Sequence, residues 1–318
     1  MRDITEGMTV DAEVVARLSW DYSRGDSRLR TLYEKGQRAQ WSVDEDIDWS
    51  PELRFGSPLP DSVDGTGLPF RRSPDSPVPA ELWNQFRWEF QSWMTSQFLH
   101  GEQGALTATA RLVETVPDLE AKFYAAVQVA DEARHVDAYA RYLTKLGSCY
   151  PINGGLRALL ENIMSESRWD MIYLGMQIIV EGLALAAFRL GNASFADPVI
   201  LQITKLVARD EARHVAFGMV ALDGYYDELT SRELAEREEF TKEATLLMSR
   251  RFLLTEVWDR LEVDTAAGTA FAAEDPLMLQ FRRLLFAKVV SSLQRLGLCT
   301  PGVRDHLDQL ALLRRPGT

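Results

Sequence analysis

Asp131-Glu132-Ala133-Arg134-His135-Val136 is repeated letter for letter as Asp210-Glu211-Ala212-Arg213-His214-Val215. The offset, 210 − 131 = 79, also carries Glu102 onto Glu181, Ala105 onto Ala184, Leu106 onto Leu185 and Ala108 onto Ala187. The chain therefore holds two copies of one unit: an apolar, helix-like stretch with an isolated glutamate, then a stretch bearing Glu-x-x-His.

The spacing has a chemical meaning. Residues three apart share one face of a helix, so Glu132 and His135 are placed to bind one metal ion and Glu211 and His214 a second. Glu102 and Glu181 would each add a carboxylate from a further helix, the ligand arrangement of di-iron and di-manganese bundles. Four glutamates gathered in an apolar interior would repel one another and lose hydration, and two divalent cations cancel that charge. Imidazole with carboxylate oxygen suits iron or manganese, whereas thiolates would point to zinc or an iron–sulfur cluster. The only cysteines, Cys149 and Cys299, lie outside the repeats. A single Glu-x-x-His is an ordinary helix pattern. Its duplication, with two of the chain's four histidines in equivalent positions, gives the metal reading its weight.

At 318 residues the chain has ample length to bury a core. A hydrophobic content of 46% with 26% charged residues is that of a soluble globular protein. The net charge of −12 argues against nucleic acid or an anionic membrane as the main partner. The start, Met-Arg-Asp-Ile-Thr-Glu-Gly, has no apolar core of a secretory signal. Met171 to Phe188 approaches membrane-spanning length, but Gln177 and Glu181 inside it suit a central bundle helix better. Two distant cysteines fit a reducing cytoplasm, which is the expected location.

Residues 10–40 read as helical with a break near Gly25, and prolines at 51, 58, 60, 69, 74, 77 and 79 forbid a long helix and make 50–80 an extended strap or a mobile loop. Leu53, Phe55, Leu59, Leu68 and Phe70 would anchor that strap across the bundle. Helices are expected at about 80–114, 117–146 (ended by Gly147), 154–164, 167–190, 196–226 and 230–262, with a last pair within 274–313. No strand pattern competes. The expected architecture is all-α, one structural domain: residues 1–79 packed as helices and strap on a four-helix bundle core, with additional helices, over 80–318.

Each ligand pair sits in Asp-Glu-Ala-Arg-His. A metal-binding histidine usually donates its other ring N–H to a carboxylate, so Asp131 is expected to support His214, and Asp210 to support His135, across the pseudo-twofold. Arg134 and Arg213 would hold these acids ionised; two solvated helix charges are the plainer alternative. Tyr139, one turn beyond His135, is open to three roles: redox-active group, substrate contact or packing. His100 and His306 have no partner pattern. Trp83, Phe86, Trp88, Phe90, Trp93 and Phe98 should be mainly core, with some lining an apolar pocket.

These residues resemble the ferritin-like di-iron carboxylate superfamily, in its oxidase and oxygenase branch. Gly101-Glu102-Gln103-Gly104-Ala105 and the paired Asp-Glu-Ala-Arg-His are similar to the hydroxylase subunits of bacterial multicomponent monooxygenases. Val180-Glu181-Gly182-Leu183-Ala184 and Arg209-Asp210-Glu211 are similar to ribonucleotide reductase small subunits and their ligand-binding oxidase relatives. Gln40-Trp41 through Asp48-Trp49 resembles the tryptophan-containing lead-in segment of that group. The resemblance spans about residues 35–225. The chain is shorter than a multicomponent hydroxylase subunit. Tyr139 falls where reductase small subunits place their radical tyrosine, although the Glu132–Glu181 interval is short for them. Val207 stands where arylamine N-oxygenases carry an extra histidine.

The resemblance implies a ferritin-like four-helix bundle and a non-haem di-iron oxygenase or oxidase that uses O2 to hydroxylate, desaturate, N-oxygenate or cleave a small organic substrate. Two iron ions are the expected cofactor, with manganese possible at one or both sites. Expected partners are that substrate, O2, an external electron-donor protein and a second copy in a homodimer, with no nucleic acid and no membrane. The alternatives are a ferritin- or rubrerythrin-like iron or peroxide handling protein and a tyrosyl-radical-generating subunit built on Tyr139.

Overall fold

In the computed structural model, which describes residues 7–23, 25–52, 54–59, 72–195 and 197–313, the backbone is helical and no strand occurs among the described residues. Four long helical segments carry the repeat: α2 (Trp83–Thr115), α3 (Leu119–Leu146), α6 (Glu181–Ser194) and α7 (Pro198–Ala221), around which α1 (Ser27–Arg38), α4 (Gly154–Ser165) and α5 (Trp169–Tyr173) pack. The C-terminal part adds α8 (Ser231–Arg250), α9 (Thr255–Arg260), α10 (Thr265–Glu274), α11 (Pro276–Arg295) and α12 (Pro301–Gln309).

Local chemistry sets many of the boundaries. Asp118 caps α3 by accepting from the Ala121 N–H at 2.9 Å, and Gly147 closes it at a φ of 72°, where a side chain would be strained. Asp197 caps α7 ahead of Pro198, and Thr230 with Glu233 forms a reciprocal capping box on α8. Tertiary contacts pair α2 with α3 and α6 with α7, and bring α3 against α7, so both Glu-x-x-His helices meet at the centre. One apolar core runs from Leu29 to Leu312.

The segment from Trp169 to Gly191 is long and apolar enough to cross a membrane, and 89% of its most apolar window is buried inside the protein. It is not a uniform α-helix. Residues Leu174–Val180 form a π-helical stretch directly before Glu181, a feature often found at functional sites. A Cβ on Gly218 of α7 would lie 2.7 Å from the Gln177 side chain, so the glycine lets α7 approach this stretch.

Several boundaries differ from the sequence reading. Residues 7–23 are not helical; α1 starts only at Ser27, capped by Asp26, whose side chain accepts from the Arg28 N–H at 2.7 Å. Val15, Leu18, Trp20 and Tyr22 are exposed, so this stretch has no buried face to stabilise a helix. The long helix expected over 230–262 is broken, because α8 ends at Arg250 and Leu254 adopts a φ of 57° before α9 begins. Burial of Leu254 and Trp258 offsets the strain of that turn. Helix α10 was not anticipated.

In the strap, Phe55 packs 5.6 Å from the Trp88 ring, the Leu59 N–H donates to Asn84 Oδ1 at 2.8 Å, and Trp88 Nε1 donates to the Ser57 carbonyl at 2.7 Å. The other expected anchors, Leu53, Leu68 and Phe70, lie outside the described residues.

Candidate metal centre

Glu102 comes from α2, Glu132 and His135 from α3, Glu181 from the first turn of α6, and Glu211 and His214 from α7. The structure brings all six together, none more than 5% exposed. Two groups of potential ligand atoms result, Glu102 with Glu132, His135 and Glu211, and Glu132 with Glu181 and His214, the atoms of each within 4.8 Å of one another. Around His135 Nδ1 stand Glu102 Oε2 at 3.1 Å, Glu132 Oε2 at 3.3 Å and Glu211 Oε1 at 3.4 Å. His214 Nδ1 faces Glu132 Oε1 at 3.1 Å and Glu211 Oε1 at 3.0 Å. Glu132 reaches both halves.

The other ring nitrogens cross the pseudo-twofold: His135 Nε2 faces Asp210 Oδ2 at 3.3 Å, and His214 Nε2 faces Asp131 Oδ2 at 3.1 Å. Arg134 pairs with Asp131, while Arg213 donates to Asp210 at 2.7 Å and to Asp131 at 3.3 Å. Two residues of the lead-in segment complete this layer. Trp41 Nε1 donates to Asp210 at 2.7 Å, and Gln40 donates to Asp131 at 3.0 Å while accepting from Arg134. Despite burial, His135, Arg213 and Trp41 hold Asp210 below the usual carboxylate range, and His214 with Arg134 does the same for Asp131.

One polar contact escaped the sequence reading. Gln128 Nε2 donates to Glu132 Oε1 and Glu181 Oε1, both at 2.9 Å, tying the two repeats together. Gln128 lies one turn before Glu132 on the ligand face of α3, where the second copy has Val207, so a polar residue in an apolar register was the available signal.

Electrostatics show what the cluster lacks. Burial, then the neighbouring acids, pushes Glu181 far up, and burial does the same for Glu102. Although burial opposes the shift, His214 and His135 draw Glu132 well down. Burial likewise opposes protonation of the histidines, but the surrounding carboxylates raise both far above the ordinary value of 6.5. Without a metal, two imidazolium groups therefore supply the positive charge. Glu132 Oε2, Glu181 Oε2 and Glu211 Oε2 are buried with no hydrogen-bond partner, an expensive state that cation coordination relieves. Orphaned oxygens, paired imidazoles and a supporting outer layer fit a dinuclear metal site.

A narrow apolar cavity of ≈ 30 Å³ meets this cluster at Glu102, Glu181 and Glu211. Its walls come from one face of α2, Met94, Gln97, Phe98, Gly101 and Ala105, and one face of α6 that includes Leu183, Ala184 and Ala187. A Cβ on the buried Gly101 would meet no atom within 4 Å, so this glycine faces open space beside Glu102.

Tyr139 is fully buried beside Phe98 and Phe188, with ring centroids 5.7 and 6.2 Å away, and its hydroxyl has no partner. Burial, with Glu102 and Glu211, pushes its phenol far up, so it stays protonated. Tyr139→Phe deletes an unpaired hydroxyl and is expected to leave folding stability unchanged or raised, within about 0.5 kcal/mol; denaturant unfolding that shows a loss above about 1 kcal/mol would mean the hydroxyl has a partner. His100 faces the Tyr150 carbonyl at 3.0 Å, and neither it nor His306 joins the cluster. Phe86, Trp88, Phe90 and Trp93 are core, Trp83 is half-buried, and Phe98 lines the cavity.

Two solved structures share the fold. The chain is similar over 70% of its length to 96% of Protein 19 with aldehyde deformylating oxidase activity from Synechococcus, at 18% identity and a TM-score of 0.52. It is similar over 87% of its length to 94% of a point variant of R2-like ligand-binding oxidase with an anaerobically reconstituted Mn/Fe cofactor, at 18% identity and a TM-score of 0.51. The all-α chain thus has the fold of ferritin-like di-metal carboxylate proteins. No family model and no curated protein matches the sequence.

Proposed function

We propose that the protein is a non-haem di-metal oxidase or oxygenase that uses O2 to oxidise a small organic substrate, with iron in both positions and manganese as the alternative occupant. The observation that carries this reading is the apolar cavity ending on Glu102, Glu181 and Glu211. A site that only oxidised and stored iron would be served by a polar channel, whereas this one opens onto apolar side chains.

Glu102, Glu132 and His135 with Glu211 would hold one ion, and Glu132, Glu181 and His214 the other. Two redox-active ions bound there supply the electron transfers that O2 reduction requires. The chain's own residues do the rest. Asp131 and Asp210 orient the imidazoles through their second nitrogens, and Gln128 sets the planes of Glu132 and Glu181. Phe98, Leu183 and the alanines exclude water from the reacting end. With only two cysteines, at separate places in the chain, electrons are expected from an external donor protein or from the substrate.

Anaerobic Fe(II) loading followed by O2 exposure tests the proposal. Two irons per chain are expected, with an O2-dependent visible band whose decay quickens when a productive substrate is present. Folded protein that takes up neither iron nor manganese would overturn it, as would multi-turnover iron oxidation ending in mineral.

A further inference from the structure

Arg251 lines the same cavity, 8% exposed, on the short turn between Arg250 and Leu254. Its guanidinium lies over the Trp93 ring at 5.9 Å and the Phe252 ring at 5.2 Å, and one Nη meets only the Met248 sulfur at 3.8 Å. Nε has no partner, and no carboxylate within 4.0 Å pairs with the group among the described residues. Glu256, the acid whose field it feels, is already engaged by Trp93 Nε1 at 3.3 Å and Asn153 Nδ2 at 2.6 Å. Burial draws Arg251 down to about 10, so it remains a cation at neutral pH. Buried cations are normally paired. This one is instead held in an apolar wall beside the strained turn at Leu254, with Nε free and no paired acid among the described residues.

We propose that Arg251 is the anion-recognising end of the substrate cavity, and that the substrate is a small monocarboxylate. Its carboxylate would sit on Arg251, and its apolar body would run along α2 toward the glutamate cluster. The argument rests on the oxidase reading for the far end of the cavity. Trp93, beside Arg251, and Glu102 are separated by nine residues of α2, roughly 13 Å along the axis. The headgroup and the oxidised carbon are thereby kept at opposite ends of the cavity. Charge selects the class. Two dications would balance the four glutamates, leaving Arg251 to neutralise one negative charge; a phosphate dianion would leave buried charge uncompensated. The planar guanidinium also matches a carboxylate's two oxygens.

Calorimetric titration of metal-free protein tests this without any metal to capture the acid. Hexanoate and benzoate are compared with hexanol and benzyl alcohol, and with inorganic phosphate, on wild type, Arg251→Met and Arg251→Lys. Wild type should bind the acids about tenfold or more tightly than the alcohols, and both above phosphate. Arg251→Met should lose the acid preference while keeping alcohol affinity, and Arg251→Lys should retain part of it. No acid preference in wild type overturns the proposal, as does an undiminished preference in folded Arg251→Met. Metal content, counted separately, reports on the oxidase reading. Absent metal binding with intact acid preference would sink that reading and leave the anion site standing.

Discussion

Replacing Glu132 with alanine is expected to lower the metal content of the reconstituted chain from two ions to well below one. Glu132 belongs to both ligand groups, with one oxygen 3.3 Å from His135 Nδ1 and the other 3.1 Å from His214 Nδ1. Its removal leaves three carboxylates to hold two dications and deprives both positions of a ligand. Glu181→Ala touches only the group containing His214, so about one ion should remain. The contrast separates a bridging carboxylate from a terminal one. Both variants also free Gln128 of one acceptor, which makes their folding defects comparable. Mass-spectrometric metal counts on protein with native circular dichroism decide the matter. Glu132→Ala retaining two ions would reject the assignment.

The repeat made the centre legible. Two identical hexapeptides at one offset named six residues on four helical segments, and the structure collects those six around one point. The bundle was legible for a related reason: long apolar stretches with helical boundary signals such as Gly147 leave helix packing as the way to bury them. Three features around the cluster were not. Gln128 has no counterpart in the second copy, where Val207 stands, so symmetry could not point to it. The π-helical stretch before Glu181, against which Gly218 of α7 packs closely, has no pattern in the local sequence. Arg251 falls in sequence inside the helix expected over 230–262, as one more basic residue. Only the left-handed turn at Leu254, driven by core packing, turns it inward. Local periodicity reports which face is buried, and it is silent where the fold breaks a helix to aim a side chain.

Metal-free protein is expected to lose stability steadily as pH rises from about 6 to 9, while metal-loaded protein gains on it over the same range. His135 and His214 have folded values raised well above 6.5, so their stabilisation is complete below 6.5 and disappears as pH climbs through the folded values. Glu102 and Glu181 act in the same direction. Raised above 4.5, they keep protons that the unfolded chain has released, and every further rise in pH favours unfolding. Glu132, Asp131 and Asp210 are shifted down, and their contribution is already constant above the acid range. Metal ions reverse the trend because they take the place of these protons, and deprotonation of the ligands strengthens binding. At a hundredfold excess over the dissociation constant each site adds about 2.7 kcal/mol. Two sites would then raise the melting temperature by roughly 5–10 °C in a chain of this size. Thermal melts in EDTA and in anaerobic Fe(II) or Mn(II), at intervals from pH 6 to 9, measure the gap directly. A gap that widens with pH identifies the imidazolium pair as the stand-in for the metal ions. A metal-free stability that is flat or rising would show that the histidines are neutral in the fold and that the buried acids are balanced in another way.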